Sequence, residues 1–294
     1  MNHGRAPYRP ATDAPALAGP AGARMIVHFV VNVEEWRFDA RLPRTVLSAP
    51  GGVEPIPDVP NYAWYEYGMR VGIWRVMDVL RAHDVNATLS VNASVCDSYP
   101  AIVERTSAAG WEMMAHGYVQ QAMSTVTDER DVIRRSLDRL ERATGTRPRG
   151  WLGPGLVETF ETADILAEEG LSYCCDWGAA DDVPYELTVR SGTLLAVPYP
   201  IDMNDIVMYG LEKRPDDTLL ERGKRHFDRL YRESERGAKV MAIAVHPWIV
   251  GTPHRIDYLD ALLAYVRAHS DVRFMRGGEI ADWFRAAPGP PASP

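Results

Sequence analysis

Seven apolar runs of strand length punctuate the chain, at residues 25–33, 86–92, 111–115, 171–175, 194–198, 240–246 and 272–275. Several are β-branched and most are bounded by Gly, Asp, Asn or Pro, the residues that end strands and make turns. Between them the pattern changes period. Residues 70–83 place Val71, Ile73, Trp74, Val76, Met77, Val79 and Leu80 on one broad face, as an amphipathic helix requires. The polar stretch 124–128 precedes Val132, Ile133, Leu137 and Leu140 and reads as a capped helix start. Residues 159–169, 218–236 and 257–269 also read as helices, with Gly170 and Gly237 as stops.

Strand and helix therefore alternate from residue 25 to 285, which argues an α/β fold around a parallel sheet. Near-continuous apolar strands are buried on both faces, and this many of them favour closure into a barrel. No internal repeat or linker interrupts the stretch, so residues 25–285 are expected to form a single barrel domain. The first 24 residues are expected to be a flexible arm, loose or draped over the surface, and 286–294 a loose tail. Segment 41–61 holds several Pro and Gly residues without periodicity and is expected to be a functional loop or lid.

Composition narrows the class. Hydrophobic types make up 46% of the 294 residues and charged types 24%, ordinary globular values. Lys plus Arg total 32 against 40 Asp plus Glu, a net charge of -8 that argues against nucleic acid or an anionic membrane as partner. No secretory signal and no transmembrane run is read, so a cytoplasmic location is expected. The three cysteines, Cys96, Cys174 and Cys175, are odd in number and two are adjacent. They read as small buried hydrophobes in a reducing compartment, not a disulfide framework or a nucleophile.

In parallel α/β folds the reacting groups gather where strands end. Glu34 and Glu35 follow the first run, His116 the third, Asp176 and Trp177 the fourth, and His246 the sixth. Two histidines and several carboxylates at successive strand ends suit a hydrolytic site. A metal site would want His or carboxylate four residues after His116, and Gln120 stands there instead.

These residues resemble the motifs of the polysaccharide deacetylase superfamily, with Val31-Asn32-Val33-Glu34-Glu35 as the paired acidic motif, His116 as the first histidine, and Asp176-Trp177 and His246 as the last two motifs. The chain is more similar still to the branch of metal-independent allantoinase and related cyclic-imide hydrolases, through residues 65–75, 29–35, 115–118, 181–185, 197–199 and 202–205. The resemblance implies a distorted (β/α) barrel of about seven parallel strands. It implies hydrolysis of a non-peptide C–N bond in a small amide, imide or ureide, and a homodimer or homotetramer. Gln120 departs from the second metal histidine of the deacetylases, and Leu152 from their Arg.

On this reading Glu34 is the general base and Glu35 orients it or holds a cation. His116 and His246 donate to the tetrahedral intermediate or the leaving nitrogen, and Asp176 fixes the tautomer of one of them. Glu66, Arg70, Tyr118, Gln120, Trp151, Trp177, Asn204 and Trp248 are expected to bind substrate. No cofactor is favoured; a zinc alternative would use Glu35, His116 and Gln120. The rival readings are an N-acetyl-sugar or peptidoglycan deacetylase and a catalytically silent barrel used for binding.

Overall fold

The computed structural model describes residues 4–14 and 16–287. The strands are β1 (Met25–Val33), β2 (Thr88–Val91), β3 (Glu112–Ala115), β4 (Gly150–Trp151), β5 (Tyr173–Cys174), β6 (Tyr185–Leu187), β7 (Leu194–Ala196), β8 (Lys239–Val245) and β9 (Val272–Phe274). They form one sheet in the order β6-β7-β5-β4-β3-β2-β1-β8, with β9 against the start of β1. Every pairing is parallel except β6 with β7. The sheet curls until its ends meet: Asn204 bridges Ala244 of β8, and the Val240 N–H reaches the Asp182 carbonyl at 2.8 Å.

Each apolar run is thus a strand, and the fold is the α/β barrel its alternation predicts. The count rises from seven to nine because β4 and β6 are not apolar runs. β4 is two residues long, one of them a glycine. β6 carries Glu186 at its centre and lies on the antiparallel edge, where a continuous apolar run is not required.

β1 shows how one strand serves two cores. Val27, Phe29, Val31 and Val33 face the helices, packed with residues such as Ile73, Leu80, Leu259 and Leu263. Ile26 and Val30 face the barrel interior with Met114, Leu152, Cys175, Val197 and Tyr199. Both sets are essentially inaccessible to water, which explains a nine-residue run with no polar alternation except His28 and Asn32.

The arm is draped over the barrel. Arg5 pairs with Asp164 at 2.8 Å, the Leu17 carbonyl accepts the Ala238 N–H at 2.8 Å, and Leu17 is buried in the interior core. Of the tail, Ala286 ends the last helix (Gly277–Ala286) and Ala287 is buried, while 288–294 lie outside the described residues.

The helix read over 70–83 is longer than its periodicity. It runs from Val59–Tyr67 through a π turn at Gly68–Gly72 into Ile73–Ala82. The extra π residue shifts the apolar stripe, so a single period cannot span the break. Asp58 caps the start, accepting the Asn61 N–H. Asn61 in turn ties down segment 41–61, its Oδ1 accepting the Val46 and Leu47 N–H groups at 2.8 and 2.9 Å.

Candidate active site

Side chains on β1, β3 and β8 alternate, and the even-numbered positions point inward. The residue after each strand continues that parity, so Glu34, His116 and His246 converge at the C-terminal mouth of the barrel. Glu34 Oε1 stands 3.5 Å from His246 Nε2 and 4.0 Å from His116 Nε2. All three are buried, with 9%, 4% and 3% of their surface exposed for Glu34, His246 and His116, so their charges act in a poorly screened space.

The surroundings fix each group. Trp36 Nε1 donates to Glu34 Oε2 at 2.8 Å and Gln120 Nε2 donates to Oε1 at 2.8 Å. His246 lies between two carboxylates: Nδ1 donates to Asp205 Oδ1 at 2.6 Å while Nε2 faces Glu34. His116 differs, because its Nδ1 bonds the Leu152 carbonyl at 2.5 Å. A carbonyl only accepts, so Nδ1 carries the proton and Nε2 holds the lone pair.

Electrostatics follow the same division. Burial pushes His246 down, but the charges and hydrogen bonds of Asp205 and Glu34 outweigh it and raise it to about 9. Burial pushes His116 down as well, and there the Glu34 charge does not overcome it. Burial would raise the Glu34 carboxyl; the two histidines and the Trp36 N–H hold it at about 2. These shifts favour a carboxylate at Glu34, an imidazolium at His246 and a neutral imidazole at His116.

Asp205, not Asp176, orients a histidine. The bridge of Asn204 to Ala244 brings the segment after β7 beside the end of β8, and Asp205 Oδ2 also accepts the His246 backbone N–H at 2.7 Å. Asp205 lies at the end of the polar stretch that follows the fifth apolar run, several residues past the strand, and the sequence reading gives it no role. Asp176 instead accepts the Gly153 N–H at 2.7 Å and lies against Glu158. Burial raises both of those carboxyls; the Glu158 charge and hydrogen bond raise Asp176 further, while the hydrogen bond to Asp176 works against the rise at Glu158. The cause is parity: β5 is only Tyr173–Cys174, Cys175 faces the interior, and Asp176 turns outward.

Other expected site residues divide between the mouth and the outer layer. Gln120, Asn204 and Trp248 gather at the mouth. Asn204 donates to the Tyr199 hydroxyl at 3.2 Å, which Asn32 also reaches at 3.0 Å. Trp248 packs edge-on against His246, Trp36 and Trp64. Trp36, which the sequence reading did not single out, stacks on Tyr65 with ring centroids 5.0 Å apart.

Tyr118 lies under Arg135, Trp151 is buried in the helix-facing core, and the Trp177 indole donates to Glu158. Glu66 and Arg70 pair with each other at 3.1 Å, Arg70 being well exposed. The π turn that carries Arg70 is pressed against the loop after β8. A Cβ on Gly68 would sit 2.6 Å from the Trp248 nitrogen, and one on Gly72 2.0 Å from the Pro247 oxygen. Only glycine lets these backbones touch.

The zinc set does not fit. Gln120 directs its N–H2 at Glu34, the only orientation compatible with a carboxylate, and this leaves its Oε1 buried without a partner. Glu35 leans on Ser98 and feels Asp97, not the two histidines. Among the described residues no group of three or more His, Cys, Asp or Glu is arranged to hold a metal ion.

Comparison with known proteins agrees with this fold. The sequence model described as polysaccharide deacetylase matches residues 61–174. The solved structure titled Puue allantoinase superposes with a TM-score of 0.82 at 27% identity, covering 96% of each chain. A probable polysaccharide deacetylase of Pseudomonas aeruginosa PAO1 superposes at 0.83 with 27% identity over 94% of this chain and 96% of its own. A Schizosaccharomyces pombe protein whose name places it provisionally among the polysaccharide deacetylases is 27% identical over 296 residues, 91% of this chain and 92% of its own.

Proposed function

We propose that this chain, a member of the polysaccharide deacetylase superfamily, hydrolyses a non-peptide C–N bond in a small amide, imide or ureide without a metal ion. One observation carries the reading: Glu34 Oε1 lies 3.5 and 4.0 Å from the Nε2 atoms of His246 and His116, and opposite environments push the two rings in opposite directions. A hydrolase needs an acid and a base at one carbonyl, and environments that drive two groups apart provide them.

Enclosure favours a small substrate. The polar groups at the mouth are almost wholly buried and walled by Trp36, Tyr65, Trp64 and Trp248. Buried polar atoms without partners, among them Gln120 Oε1 and the Trp248 indole N–H, suit a ligand rich in N–H and C=O groups. The neighbouring structure titled allantoinase supports a ureide ring. The match to polysaccharide deacetylases supports the second reading, removal of an acetyl group from an N-acetyl sugar.

The test is a substrate panel. Purified protein is offered allantoin, hydantoin, simple cyclic imides and N-acetylglucosamine oligomers, with products followed by mass and by released acetate. Ring opening of a small cyclic substrate supports the first reading. Acetate release from the oligomers alone replaces it with the second.

A further inference from the structure

The strand-end logic makes Glu34 the base, and its surroundings argue otherwise. Both of its oxygens already accept hydrogen bonds, Oε2 from Trp36 and Oε1 from Gln120, and Oε1 also faces the His246 ring. A carboxylate so fully engaged has little basicity left for water. His116 presents the opposite case. Its Nδ1 is bound to a neutral carbonyl, and its Nε2, which must hold a lone pair, has no hydrogen-bond partner and lies 4.0 Å from the nearest carboxylate oxygen. That gap is too long for a hydrogen bond and leaves Nε2 free for a molecule at the mouth.

We propose, building on the hydrolytic reading above, that His116 Nε2 takes the proton of the attacking water, that His246 delivers a proton to the leaving nitrogen, and that Glu34 is the fixed counter-charge to both.

The steps balance. The water oxygen attacks the carbonyl carbon while one of its protons passes to His116 Nε2, and the carbonyl π pair moves onto its oxygen. That pair then returns, the C–N bond breaks with its electrons going to nitrogen, and His246 Nε2 gives the nitrogen its proton. The products are a carboxylic acid and a free amine or amide. His116 is now the imidazolium and His246 the neutral ring. His116 then gives its proton to solvent water and His246 takes one up, with Glu34 Oε1 near both Nε2 atoms as counter-charge, which restores the resting state. The charged groups facing these rings are Glu34 for both and Asp205 for His246; the Leu152 carbonyl is the neutral partner of His116.

Long-range proton–nitrogen NMR of the nitrogen-labelled, unliganded protein tests the assignment without a substrate. His116→Asn and His246→Asn identify the two ring signals. At neutral pH the His116 ring should carry its proton on Nδ1 alone and the His246 ring should carry both. A proton on His116 Nε2, or a neutral His246, overturns the proposal.

Kinetics on the best substrate of the panel provide the second test. Wild-type kcat/KM should fall on the acid side as His116 titrates, below the ordinary histidine value of 6.5, and on the basic side near 9. His116→Asn should cost roughly 10²–10⁴-fold, the usual worth of a general base. Glu34→Gln should keep the acid limb, move the basic limb down, and cost much less. An acid limb near 2, with Glu34→Gln inactive at every pH, makes Glu34 the base and ends the proposal. Failure to find a substrate strikes the hydrolytic reading and leaves the ring assignments standing; wrong tautomers beside real turnover strike only the assignment.

Discussion

Asp205 holds His246 at two points: Oδ1 accepts the ring Nδ1–H at 2.6 Å and Oδ2 accepts the backbone N–H at 2.7 Å. One fully buried carboxylate thereby sets the tautomer, the ring orientation and the charge of the histidine that faces Glu34.

Asp205→Asn keeps the shape of that contact and removes its charge. The expected loss in kcat is on the order of 10³–10⁴-fold, as for other carboxylate-to-amide changes behind a catalytic histidine. The basic limb of the pH–rate profile, expected near 9 in the wild type, should move down. Stability follows the same linkage. A histidine raised in the folded state stabilises fully below 6.5, and that contribution is lost as pH rises through about 9. Chemical denaturation at a series of pH values should show this loss in the wild type and a smaller one in the variant.

Asp176→Asn should behave in the opposite way. The carboxyls of Asp176 and Glu158 are both raised, by burial first, and Asp176 also by the charge and hydrogen bond of Glu158. Their contribution is complete below ordinary carboxyl values and is lost as pH rises through the raised ones. Asparagine still accepts the Gly153 N–H and carries no charge. The variant should turn over substrate within about threefold of wild type and gain on the order of 1 kcal/mol at alkaline pH relative to it. A loss of activity as large as that of Asp205→Asn would restore Asp176 to the machinery.

Gly68→Ala tests the seam between the π turn and the loop after β8. Its Cβ would fall 2.6 Å from the Trp248 nitrogen and 2.7 Å from the Trp248 Cβ, where backbone must yield. Overpacking of this kind costs about 1–3 kcal/mol. The expected result is a lowered thermal midpoint together with lowered activity, because Trp248 packs against the His246 ring.

The residues that were legible in the sequence share a physical cause. Apolar runs mark strands because both sheet faces are buried, and their ends mark the mouth because side-chain parity carries one residue past the strand. Glu34, His116 and His246 were found this way. At β5 the same parity puts Cys175, one residue past the strand, toward the interior, so Asp176, two past it, falls on the other side. β4 and β6 are missed because a two-residue strand with glycine and an edge strand with a central glutamate leave no apolar signature. Asp205 and Trp36 are positioned by contacts between distant segments, the Asn204–Ala244 bridge and the Trp36–Tyr65 stack, which no local pattern encodes.

The most direct test of the account is turnover with and without a strong chelator, measured on small cyclic amides, imides and ureides with the purified protein. Gln120 donating to Glu34, together with Glu35 engaged by Ser98 and not by the two histidines, predicts ring opening that chelation leaves unchanged. Activity that disappears with the chelator and returns with added zinc would contradict it.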